Sequence, residues 1–182
     1  MAPTATIDTA EVLIGPGLLY VADVDTAEPV SASATLDTDW REVGYTDEGS
    51  AIDLAYTNVG IPVEEEFYPI RYVTTAVEMS IGFSMKQASR RNLALALNAG
   101  ADAANDATSF EPPAPGTEVR VKLLLVTDEG ALWVFRQCFQ GGNLQITRRK
   151  APNVALLPVQ FRLEKPTGAE PFIVYPTADG LI

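Results

Sequence analysis

Residues 77–86 alternate without a slip. Val77, Met79, Ile81, Phe83 and Met85 are apolar, and Glu78, Ser80, Gly82, Ser84 and Lys86 stand between them. Period two over ten residues predicts a half-buried β-strand. The chain then changes period. Residues 87–99 are rich in alanine and leucine, with Leu93 and Leu97 four apart on one helical face. They predict one short α-helix, with Asn98 and Gly100 as its stop. Ser84 to Gln87 has the form of a capping box, which leaves the helix start open by two or three residues. A helix this short is marginal alone and must lay its leucine face on the sheet.

The rest of the chain reads as strand and turn. Residues 1–11 are small, polar and aperiodic, an N-terminal arm. Residues 12–176 form a single β domain, and 177–182 a C-terminal tail. Two short apolar runs flank a Gly-Pro-Gly turn over residues 13–22, followed by a polar loop over 25–38. Residues 40–49 make a short extended piece closing on an Asp47-Glu48-Gly49 turn. Strands follow at 51–56 and 69–75, separated by a long exposed connection, 57–68, with Glu64, Glu65 and Glu66 in a row. After a loop at 101–116, four strands come in meander spacing at 118–126, 131–139, 144–148 and 154–163. Turns lie at Asp128–Gly130 and Gly141–Gly142, and Pro158 marks an edge or bulge. A last strand is expected at 172–175. The fold class is mainly β: an antiparallel β-sandwich or partly closed barrel with one flanking α-helix.

Composition narrows the chemistry. The chain of 182 residues is 47% hydrophobic, enough for a core, and has no apolar run long enough to span a bilayer. It contains no histidine, which removes Ser-His-Asp and Cys-His catalysis and histidine-based zinc sites. One cysteine, Cys138, in an apolar strand, is expected to be a buried, inert thiol, and intracellular folding is the natural expectation. Three successive glutamates do not converge on a metal, because neighbouring strand residues point to opposite faces. Arg148-Arg149-Lys150 is too short for a nucleic-acid patch and suits a surface turn or subunit contact. The glycine pair lacks a P-loop lysine, and Asp128-Glu129-Gly130 lacks the spaced acids of a calcium loop. No catalytic constellation survives, and no cofactor or metal is expected. The net charge is −11, with residues 1–66 carrying 14 acids and one base. Such a surface repels phosphate, so static nucleic-acid binding is not expected.

Three pieces occur in a telling order: Trp40 to Gly49 (WREVGYTDEG), the strand-into-helix of 77–100, and Leu157 to Phe161 (LPVQF). In pattern and order the chain resembles the major tail tube proteins of long-tailed bacteriophages over roughly residues 12–175. The resemblance implies a non-enzymatic structural subunit of the virion tail, assembled in the host cytoplasm. It implies six copies per ring and rings stacked into a hollow tube, with inner strands forming one continuous barrel. Tape-measure, tail terminator and distal tail proteins would be partners, and DNA would pass through an acidic lumen without specific binding. Asp53, Glu78 and Ser80 are the lumen-facing candidates, the apolar face from Val77 to Phe83 lying under the helix. Glu64, Glu65, Glu66, Phe67 and Tyr68 are candidates for contact between rings, near Arg148, Arg149 and Lys150. Alternative readings are a tail terminator or head–tail connector of related fold, or a β-sandwich carbohydrate-binding module.

Overall fold

A computed structural model of the chain describes residues 17–101, 111–146 and 155–178. The expected N-terminal arm and the Arg148-Arg149-Lys150 run lie outside these residues. The described chain is one antiparallel sheet with one helix, as the patterning predicts. Its strands are β1 (Leu18–Asp23), β2 (Arg41–Glu42), β3 (Thr46–Ile61), β4 (Arg71–Met85), β5 (Val121–Val126), β6 (Leu132–Gln140), β7 (Leu157–Leu163) and β8 (Phe172–Tyr175). The order across the sheet is β2-β1-β5-β6-β7-β4-β3, with β8 pairing the first half of β6. The sheet does not close into a barrel; β2 and β3 are its two ends.

Alternation decides which side chains meet. Met79, Ile81, Phe83 and Met85 of β4 are buried with Phe161, Val159 and Leu157 of β7 and with Leu19, Val21, Leu123 and Phe135. Phe83 and Phe161 stack with ring centres 5.8 Å apart. Cys138 is fully buried in this core, as its sequence setting predicts. The opposite face carries a second cluster around β1, β5 and β6: Ala22, Leu124, Leu132 and Val134, closed by Trp40. Trp40 reaches it from the loop after β1 and donates its indole N–H to the Ala27 carbonyl at 3.0 Å. One ion cluster pins that loop. Glu28 holds Arg136 at 3.0 Å and Lys122 at 3.4 Å, and the Lys122 ammonium donates to the Thr26 carbonyl at 2.6 Å.

The helix α1 spans Arg90–Ala96, shorter than the expected 87–99. Its N-cap is Ser89, whose hydroxyl accepts the Asn92 N–H at 3.2 Å. The Ser84–Gln87 capping box is not used: Ser84 and Met85 are committed to ladders with Asp47 and Thr46 of β3 and Pro158 and Leu157 of β7. At the other end Asn98, not Gly100, takes the first left-handed position, at φ 56°. Its side chain bridges to β6, donating to the Gln140 carbonyl and accepting the Gln140 N–H, at 2.9 and 2.8 Å. With the start moved to Ser89, Leu95 becomes the fully buried anchor and Leu93 packs at the core's edge.

Other boundaries also move. Asp47-Glu48-Gly49 is an irregularity inside β3, not a closing turn, and Gly49 takes φ 81° there. Residues 144–146 carry no strand, so the meander has one strand fewer than expected among the described residues. Pro158 sits where β7 has β4 beside it and β6 has not yet joined, an open edge as expected.

Candidate assembly surface

The separate strands expected at 51–56, 69–75 and 77–86 are two long ones. β3 and β4 pair from Thr46 opposite Met85 to Ile61 opposite Arg71. The expected exposed connection, 57–68, is therefore half strand; the turn is 62–70. A ladder that continues adds hydrogen bonds with each rung, and a bulge at Thr75 absorbs the one-residue mismatch. Thr74 donates to Asn58 Oδ1 at 2.8 Å and Thr75 to the Thr57 carbonyl at 3.2 Å on either side of it.

β7 accompanies β4 only from Met85 to Ser80. From Met79 to Arg71 the ribbon stands clear of the sheet, with one edge of β4 and the whole outer edge of β3 unpaired among the described strands. Both faces of this arm are apolar and exposed. Leu54, Tyr56, Val77 and Tyr72 continue the core face outward, and Val59, Val73 and Ile61 lie on the other. Val77 is 55% exposed, so the apolar stripe expected under the helix is covered only from Met79 onward. Of the strands, α1 packs chiefly on β7, whose pairing with β4 ends at Ser80. A two-stranded ribbon with open edges and apolar faces is marginal in water and is a template for pairing with another chain.

Asp53, Glu78 and Ser80 share one face where the arm departs. Asp53 lies opposite Ser80, Ala55 opposite Glu78, and Ser80 opposite Arg162 of β7. Gln160 donates to the Ser80 hydroxyl at 3.2 Å. A groove of about 460 Å³ opens there, lined by these residues with Phe139 and Glu164. Arg162, Gln160 and Phe139 were missed in the sequence, because β6 and β7 carry them in from far along the chain. Beside the groove, Arg120 grips Glu164 through two bonds at 3.1 and 3.2 Å and lies over the Phe139 ring at 4.9 Å. The Arg120 hydrogen bond holds the Glu164 carboxyl below the ordinary carboxylate range, against partial burial, with help from Gln137 at 2.8 Å.

The candidates for contact between rings sit at the arm's free end. Glu64, Glu65 and Glu66 are exposed, Phe67 is 103% exposed and Tyr68 82%. Their proposed partners, Arg148, Arg149 and Lys150, lie outside the described residues. The signal that would have found the arm is the mixed parity of 51–61 and 71–78, where apolar residues occupy both strand faces and no single covered face accounts for them.

Among the described residues no group of histidine, cysteine, aspartate and glutamate could hold a metal ion, and no helix is long and apolar enough to cross a membrane. No curated protein matches the chain. The phage tail tube protein family matches residues 4–172, nearly the whole sequence, and the chain belongs to that family.

Proposed function

We propose that the chain is the repeating subunit of a hollow tail tube, six copies to a ring, with rings stacked along the tail and DNA passing through the bore. The observation that carries this reading is the β3–β4 arm, which leaves the domain with exposed apolar side chains on both faces and, among the described strands, with open backbone on both edges. In cyclic symmetry the outer edge of β3 meets the free edge of β4 on the next copy. The two run antiparallel, so the arms continue one sheet around the ring and leave no edge exposed. The face bearing Asp53, Glu78 and Ser80 lines the lumen, acidic on its hairpin strands and interrupted by Arg162. The tube ends on terminator and distal tail proteins and encloses the tape-measure protein. Assembly takes place in the host cytoplasm before the tail joins the virion.

Electron microscopy of the purified chain at high concentration tests the reading. Hollow tubes or rings whose end views average to sixfold symmetry are expected. A chain that stays monodisperse and featureless at every concentration overturns it.

A further inference from the structure

One row of side chains crosses the sheet where the arm leaves it. Asp53 of β3 lies opposite Ser80 of β4, Ser80 opposite Arg162 of β7, and Arg162 opposite Phe139 of β6. The other cations of this face on the body are already taken. Arg120, beside the row, is held by Glu164 through two bonds. Farther along, Lys86 is held at 2.6 Å by Asp47, which lines the same face with Gly82 and Ser84. Arg162 is different. It is exposed, and among the described residues its guanidinium has neither a hydrogen bond nor an ion pair.

The fold keeps it so. Asp53 is two strands away, roughly 10 Å between backbones, with Ser80 in the way. The Arg162 stem leans to the other side, toward the end of β6. A Cβ built on Gly141 would meet Arg162 Cδ at 3.1 Å and Nε at 3.2 Å, so the bare glycine leaves the stem a place to lie. A second donor stands next to it. The Ser80 oxygen accepts the Gln160 side-chain N–H at 3.2 Å, which leaves the hydroxyl proton for another acceptor. A guanidinium fork with a hydroxyl beside it suits the paired oxygens of a phosphate.

We propose that Arg162, with the Ser80 hydroxyl, is a contact point for the phosphate backbone of DNA in the bore. The proposal rests on the tail-tube reading. Asp53 and Glu78 border the same groove and have no ion pair among the described residues, so the groove stays negative overall. A free phosphate ion gains little there, because one cation is set against two carboxylates. A polyanion that meets the same arginine on every copy in a ring adds many small terms, each quickly released. The arginines hold DNA and the acids keep the hold weak, so the chain of phosphates is retained and still slides.

Retention of double-stranded DNA by tubes of the full-length chain at low salt tests this. In Asp53→Asn/Glu78→Gln tubes the repelling acids are neutral, and retention is easily read. Adding Arg162→Gln should weaken it by roughly tenfold and flatten its dependence on salt. Adding Lys86→Gln instead removes the same charge from the same face and should change it by about twofold or less. The same pair of substitutions in otherwise unaltered tubes gives the same order of effects, should the neutralised chain not assemble. Unchanged retention with Arg162→Gln overturns the proposal. Equal losses from Arg162→Gln and Lys86→Gln also overturn it, since they would reveal only a general field. So does full displacement of DNA by inorganic phosphate at matched ionic strength, which would make this a site for a free anion. If Arg162→Gln by itself abolishes tubes while the chain stays folded, the guanidinium meets an acid of a second copy and the proposal falls. Absence of any tube or ring from the unaltered chain would instead sink the tail-tube reading, and this proposal with it.

Discussion

At the scale of single residues, Asn92 has the most to lose. Its side chain is buried in the helix's first turn, donates to the Val43 and Gln87 carbonyls at 3.0 and 2.9 Å, and accepts from Arg41 at 3.1 Å. It ties α1 to the chain between β2 and β3 and to the end of β4. Asn92→Ala orphans the buried Val43 carbonyl and the partly buried Gln87 carbonyl and is expected to destabilise the fold by about 2–3 kcal/mol in urea unfolding. A loss under half a kcal/mol would show that the carbonyls find other donors. Glu164 gives a pH dependence. Its folded pKa lies below the ordinary 4.5, first because Arg120 hydrogen-bonds the carboxylate. The stability it contributes is present above the unfolded pKa and is lost as pH falls through the folded one. Thermal midpoints measured from pH 7 down to 3 should fall less steeply for Glu164→Gln than for the unaltered chain. Parallel curves would refute the assignment.

At the scale of elements, α1 and the arm are opposite cases. Seven helical residues do not hold together in water, so α1 exists because Leu95, Ala94 and Ala96 are buried. The arm has hydrogen bonds along its whole length but little to bury against within the subunit. If the arm sets the spacing of stacked copies, that spacing follows its length. Deleting Tyr56-Thr57 together with Ala76-Val77 removes two facing rungs and keeps every other side chain on its face. The axial repeat of the tubes should shorten by about 7 Å, two steps of ~3.3 Å. An unchanged repeat, measured by diffraction from electron micrographs, would show that the globular part of the subunit sets it.

At the scale of the whole molecule, charge is divided: acids dominate residues 1–66, and the remainder is slightly basic. On the face proposed for the lumen, Asp53 and Glu78 stand in the strands of the ribbon, exposed and outside the core. Asp53→Lys/Glu78→Lys should therefore still assemble. Its tubes should retain DNA at low salt and release it as salt rises, because each added cation engages a phosphate and displaces a counterion. Assembled variant tubes with unchanged DNA retention would remove these residues from the bore.

The sequence by itself determined the parity of β4, the burial of Cys138, the existence of one helix after that strand, and the tail-tube family. It also carried the gathering of Asp53, Glu78 and Ser80 on one face as far as two alternating strands could. These are local facts: alternation between i and i+2 tells which side chains share a face. It does not say what stands on the far side of that face or where a strand loses its neighbour. Only the tertiary structure decided that the 57–61 segment continues a ladder, that β7 leaves β4 at Ser80 and frees the arm, and that Arg162 joins the acidic face. The same holds for Glu28 and Arg136, which meet across 108 residues of chain. Strand pairing and buried ion clusters draw their energy from partners distant in sequence, so no local period announces them, and they fix where a strand ends and which surface is left to meet another copy.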